Sequence, residues 1–157
     1  MELCIVSIGK ISTDWIQKGL NLFESRINKY IKFSSIVIPD IKNAKSLSLD
    51  LLKEEEGKAI LLNINSYDFV VVMDEGGEEY TSRQLAEWTQ KKMNCGKKRI
   101  LFIIGGPFGF SKKVYERADT KISLSKLTFT HEMAKLFLTE QIYRVMTILK
   151  GEPYHHD

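Results

Sequence analysis

Residues 103–109 read Ile103-Ile104-Gly105-Gly106-Pro107-Phe108-Gly109, an apolar run that opens into a glycine-rich loop. Where side chains are missing, a ligand can lie against bare backbone and take hydrogen bonds from its N–H groups. A tight turn with no ligand uses the same residues. The spacing is neither G-x-G-x-x-G nor G-x-x-x-x-G-K-[ST], so dinucleotide and nucleoside triphosphate binding lose their main support. A second stretch, Leu124, Ser125, Lys126, Leu127, Thr128 and Phe129, runs on through Thr130 to His131. Its backbone can hold an adenine ring through main-chain hydrogen bonds, with Leu127 and Phe129 as apolar walls. It also reads as a connecting loop with Thr130 capping the next helix, and the two roles are compatible. A third stretch, Pro153-Tyr154-His155-His156-Asp157, brings an aromatic ring and two imidazoles to the chain end, where side chains are ordinarily frayed and idle.

The elements that must position these stretches follow from the apolar pattern. Leu3 to Ile8 is a short β-branched run ending at Gly9, which predicts a buried strand. Ser12, Thr13 and Asp14 offer capping oxygens, and Ile16, Leu20, Phe23, Ile27 and Tyr30 recur at helical steps behind them. Phe33 to Ile38 predicts a second strand stopped by Pro39, and Ile41 to Ser48 a loop. A helix from Ser48 or Asp50 to about Leu62, a strand over Phe69 to Met73, a helix from Thr81 or Ser82 to Met93 and a strand from Arg99 to Ile104 come next. A short helix over Ser111 to Ala118, a strand over Lys121 to Leu124 and a long helix from His131 to Lys150 complete the chain, with Gly151 as the stop. Such alternation predicts an α/β fold with a mostly parallel sheet flanked by helices, and ligands at the carboxyl ends of its strands.

The last helix carries two apolar stripes, Ala134, Leu138, Ile142, Val145 and Leu149 on one side and Met133, Phe137 and Met146 on the other. One stripe suffices for a surface helix. The second packs under the same domain or faces a partner subunit. The run Lys53 to Glu56 is most simply a solvated helix face.

With 157 residues, 43% of them hydrophobic, the chain suits one domain, 1–157. A net charge of +3 permits a polyanionic partner without demonstrating one. Two cysteines, Cys4 and Cys95, form no C-x-x-C pair and have no histidine arranged nearby, so free thiols and no metal are expected. Neither a signal-peptide core nor an apolar run of the roughly 18 residues that span a membrane is visible, so a cytoplasmic location is expected.

Several blocks, taken in order, resemble the RlmH (YbeA-like) family of SPOUT methyltransferases over essentially the whole chain. They are Val6-Ser7-Ile8-Gly9-Lys10, the Lys53–Gly57 segment, Ile104-Gly105-Gly106-Pro107-x-Gly109, Leu124-Ser125-x-Leu127-Thr128-Phe129, His131, Glu140-Gln141-x-Tyr143-Arg144 and Gly151-x-Pro153-Tyr154-His155. The resemblance implies a SPOUT domain with a deep C-terminal trefoil knot, which general topology rules would exclude. It implies S-adenosylmethionine as cofactor, a homodimer, and methylation at N3 of a pseudouridine in 23S rRNA on the assembled 70S ribosome. Carried over by position, Met73, Gly105 and Leu124, Ser125, Lys126, Leu127, Thr128 and Phe129 hold the cofactor.

An imide N3 must lose its proton before or during transfer, which asks for a base. The resemblance and this chemistry make His155 the first candidate. Tyr154 stacks on or orients the nucleobase, Arg144 holds phosphate or the developing enolate charge, and His131 is the second candidate base. The family's tail is thought to complete the neighbouring subunit's site, which gives Tyr154 and His155 work that their position alone would not. Lys135 and His156 stand where the family usually has arginine, so RNA contacts at those two places are not carried over, and Phe108 stands where it has an acidic or small polar residue and either walls the pocket or stacks on RNA. Competing readings are a SPOUT enzyme acting on tRNA or another RNA, a noncatalytic ribosome-associated binder and, on weaker grounds, a Rossmann-type nucleotide binder.

Overall fold

Apolar runs without alternation mark strands that are covered on both faces, and the central strands of this chain are of that kind. The computed structural model describes residues 1–156. Its elements are β1 (Glu2–Ile8), α1 (Asp14–Ile27), β2 (Lys32–Ile38), a single 3-10 turn (Ala44–Ser46), α2 (Leu49–Leu61), β3 (Asp68–Glu79), α3 (Ser82–Met93), β4 (Arg99–Ile104), α4 (Lys112–Arg117), β5 (Thr120–Ser123) and α5 (His131–Lys150). The five strands form one sheet in the order β2-β1-β4-β3-β5, and every pairing is parallel.

Period-two alternation sends successive residues of one strand into opposite layers. Leu3 and Ile5 of β1, with Ile100, Phe102 and Ile104 of β4, join Ile27 of α1, Ala86 of α3 and Leu138, Ile142, Val145 and Met146 of α5. Cys4, Val6 and Ile8, with Leu101 and Ile103, join Ile60 of α2 and Val114 of α4. The molecule is therefore a three-layer α/β/α sandwich with α1, α3 and α5 on one face and α2 and α4 on the other.

Three of the predicted caps form, whereas Thr13 stands at the N-cap of α1 without a side-chain cap hydrogen bond. Ser48 Oγ accepts from Leu51 N, Thr130 Oγ1 accepts from Met133 N, and Thr81 with Gln84 makes a reciprocal capping box. Gly151 ends α5 with φ +68°. Tyr30, read as part of the first helix, lies beyond its end at Ile27. Of the second stripe on α5, Met146 is buried in the core, Met133 is half-buried and Phe137 is 41% exposed, so α5 uses most of its girth between α1 and α3.

The third strand runs six residues past its predicted end at Met73. After a bulge between Met73 and Glu78, residues Glu78 and Glu79 pair again with Ile122 and Ser123. A Cβ on Gly77 would stand 2.7 Å from the Ile122 backbone, so the close approach depends on glycine. The polar composition of Asp74-Glu75-Gly76-Gly77-Glu78-Glu79 hid this extension from a reading based on apolar runs.

Candidate functional site

Because the strands are all parallel, the loops that leave their carboxyl ends gather along one edge of the sheet. The loop after β4 holds Gly105, the bulge of β3 begins at Met73, and residues 124–129 follow β5. In the sheet these strands are neighbours, β4-β3-β5, so residues about 50 positions apart in sequence converge on one edge. That convergence brings together the cofactor-side set expected from the sequence.

Packing accounts for part of the glycine loop. A Cβ on Gly105 would meet the Phe110 ring at 2.8 Å, and Gly109 sits at φ +81°, a left-handed conformation that glycine adopts without strain. Residues 124–129 form a compact turn in which Ser123 Oγ donates to Ser125 O at 3.0 Å and Leu127 N donates to Ser125 Oγ at 3.0 Å. Leu127 is 73% exposed and walls nothing within the chain, whereas Phe129 packs on Phe137 with ring centroids 5.1 Å apart. Met73 is half-buried against the α1/α3/α5 layer.

His131 opens α5 at the same edge. Its Nε2 lies 3.2 Å from the Lys10 carbonyl oxygen, which accepts from it, and a Cβ on Gly9 would be 3.1 Å from that nitrogen and 3.2 Å from Asp40 Oδ1. The next residue, Glu132, accepts from Ser12 N at 2.7 Å and Ser12 Oγ at 2.9 Å and is 8% exposed. The Thr13 hydroxyl, followed by the Ser12 groups, holds its carboxyl down at about 2.

The tail set lies elsewhere. Arg144 donates to Glu140 Oε1, Tyr154 Oη donates to the same oxygen at 2.9 Å, and Arg144 Nη1 is 3.4 Å from His155 Nδ1. The Arg144 guanidinium stands 4.7 Å from the Tyr154 ring centroid, and Tyr154 meets Tyr143 edge-on at 4.7 Å. Burial first, then the Glu140 hydrogen bond, pushes the Tyr154 phenol above its ordinary value. Glu140 thus organises the tail set. Its position four residues before Arg144 on one helix face was the signal that could have found it.

At about 1.5 Å per residue, α5 places Arg144 about 20 Å along its axis from His131. Within one chain, then, Arg144, Tyr154 and His155 are brought together, but not beside Gly105 and residues 124–129. His156 is exposed beyond them, and Phe108 is 48% exposed at the tip of the glycine loop.

Two charged residues depart from the sequence reading. Lys135 is 3% exposed, one wall of a cavity of about 480 Å³ between α1, β2 and α5 that also holds Glu24, so it is not a surface contact for RNA. Burial pulls its ammonium down in pKa, against the pull of Glu24. Glu56, read as part of a solvated face, is 7% exposed, because it follows Leu52 and precedes Ile60 by one turn on the buried side of α2. That i, i+4 spacing was visible in the sequence.

Among the described residues no cluster of three or more His, Cys, Asp or Glu side chains is arranged for a metal, and no helix is long and apolar enough to cross a membrane. A family model described as a predicted SPOUT methyltransferase matches residues 1–155. A protein of Christiangramia forsetii named ribosomal RNA large subunit methyltransferase H is 49% identical over 156 residues, covering 99% of both chains. Proteins of the same name from Parabacteroides distasonis and Bacteroides thetaiotaomicron are 47% and 45% identical, each over the full length of both chains. A match along nearly the whole chain, on an α/β sheet of parallel strands, shows that the chain belongs to the SPOUT methyltransferase family.

Proposed function

We propose that this protein transfers a methyl group from S-adenosylmethionine to N3 of a pseudouridine in 23S rRNA, acting as a homodimer on the assembled 70S ribosome. The observation that carries the reading is full-length similarity, at 45–49% identity, to relatives named as large-subunit rRNA methyltransferases. The chain would act as one domain, with its C-terminal segment threaded as a deep trefoil knot in the manner of the family.

The residues fit the cofactor. Residues 126–128 after β5 are exposed and can offer main-chain groups to an adenosine without the help of a side chain. The cofactor supplies an electrophilic methyl group, so the protein's work is alignment and preparation of the nucleophile. Met73, Gly105 and residues 124–129 hold and orient the adenosine.

The proton on N3 of the acceptor must go to a base. His155 takes this role. Arg144 Nη1 lies 3.4 Å from its Nδ1 and holds the ring in place; Nδ1 then carries the lone pair, and the acceptor's N–H replaces the arginine there as the proton is taken. Tyr154, held by Glu140, orients the nucleobase, and Arg144 meets phosphate or the negative charge that develops on the ring. His131 is the second candidate base, on the cofactor's side of the site. The separation of the two sets along α5 supports a site built from two copies, the tail of one chain reaching the glycine loop of the other.

The test is methyl transfer from labelled S-adenosylmethionine to 70S ribosomes that lack the modification, with the product mapped by mass spectrometry. N3-methylpseudouridine in 23S rRNA is the expected product. Cofactor binding with label only in tRNA or in no RNA would overturn the substrate.

A further inference from the structure

A carboxylate on a mostly buried residue calls for a cation or for several hydrogen-bond donors, and Glu56 has neither among the described residues. It lies on the inner face of α2 between the buried residues Leu52 and Ile60, is 7% exposed, and makes no hydrogen bond or ion pair among the described residues. Its oxygens would stand 2.6 and 2.7 Å from a Cβ on Gly106, so the carboxylate rests against bare backbone in the loop after β4. Burial raises its pKa, and the charged group that acts on it is another acid, Asp40 in the loop after β2, which raises it further. Glu56 thus rests on the residue after Gly105, and Asp40 lies in the loop after β2 with its Oδ1 3.2 Å from a Cβ on Gly9.

An incoming ligand must supply what the chain omits. A neutral N–H donor on a nucleobase would satisfy one lone pair and leave two adjacent negative charges unbalanced. A cation answers both carboxylates at once. The cofactor assigned above to this loop carries such a group in its amino-acid portion. We infer that Glu56 binds the α-ammonium of S-adenosylmethionine, with Asp40 reinforcing the negative field, so that the methionyl end of the cofactor points toward β1 and β2 while the adenosine stays with residues 124–129. This inference rests on the cofactor reading and adds the orientation of the ligand within the site. It also gives Gly106 its role, because any side chain there would occupy the space that the carboxylate and the ammonium share.

The experiment is calorimetric titration of the full-length protein with S-adenosylhomocysteine and with its deamino analogue, in which hydrogen replaces the α-amine, for the wild type and Glu56→Gln. Wild type should prefer the amine-bearing ligand by about tenfold or more, the scale of one charge-assisted contact in a buried setting. In Glu56→Gln the preference should shrink to about twofold or less, with affinity for the deamino analogue unchanged. The variant should melt no lower than wild type, since glutamine keeps the shape and removes an unpaired buried charge. Equal affinity of wild type for the two ligands, a preference that survives in Glu56→Gln, or a variant that unfolds or melts lower would each overturn the inference. If wild type bound neither ligand, the cofactor reading itself would fail, which separates the two outcomes.

Discussion

At the scale of single residues, the tail is the part of the chain whose chemistry depends most on a few contacts. His155 receives an N–H from Arg144, which is itself anchored on Glu140, and the same Glu140 oxygen accepts the Tyr154 hydroxyl. A general base contributes about 100-fold to 10,000-fold to a rate. Replacing His155 by Ala should therefore lower single-turnover methyl transfer by about 100-fold or more, while cofactor affinity measured by titration changes less than about twofold. Equal loss of both, or no loss, would remove His155 from the role of base. The tail's position at a chain end gave no local signal of this arrangement. Only the family resemblance distinguished Tyr154 and His155 from frayed residues, and Glu140 was legible in the same resemblance and as an i, i+4 partner of Arg144.

At the scale of elements, two junctions position the site. The first joins the loop before α1 to the start of α5 through Glu132 and the Ser12 groups. The folded carboxyl of Glu132 titrates near 2, below the ordinary 4.5, so its stabilising contribution is complete above about pH 4.5 and is lost as pH falls toward 2. Glu132→Gln should melt below wild type at pH 7, and the gap between the two melting temperatures should close between about pH 4.5 and pH 2. A gap that persists unchanged at pH 2 would show that the charge is not what holds the junction.

The second junction is the bulge of β3 over β5. Gly77→Ala would place a methyl group 2.7 Å from the Ile122 backbone, an overpacking that costs about 1–3 kcal/mol. It should lower the melting temperature and also weaken cofactor binding, because β5 delivers residues 124–129. Unchanged affinity in a folded Gly77→Ala would uncouple the bulge from the site. The sequence displayed the five strand cores and the caps of α2, α3 and α5, since those depend on local apolar period and on capping oxygens. It did not display the second half of β3, whose pairing with β5 comes from tertiary register. Nor did it display the burial of Lys135, which is decided by the packing of α1 and β2 around α5.

At the scale of the whole molecule, the separation of the two candidate sets along α5 makes a quantitative forecast. A His155→Ala chain keeps a good loop and loses its tail, and a Gly105→Asp chain keeps its tail and loses the loop. If each site takes its loop from one copy and its tail from the other, co-refolding equal amounts makes about half the dimers mixed, each with one complete site. The mixture should then recover about a quarter of wild-type activity, although each variant alone has almost none. A mixture no more active than its components would place both sets within one chain.

The position of α5 also governs how the protein is made. This helix is synthesised after all five strands, and its residues Leu138, Ile142, Val145 and Met146 cover Leu3 and Ile5 of the first strand and Phe102 of the fourth. Translation proceeds at about 5–20 residues per second, and parallel pairings between distant segments form slowly. Until the final helix clears the exit tunnel, one apolar face of the nascent sheet has no cover and cannot be sealed by local structure. The sheet is accordingly sealed only once α5 is available to pack on it. Chains stalled on ribosomes just after β5 should remain sensitive to mild proteolysis over β1 and β4, and protection should appear only when α5 has emerged.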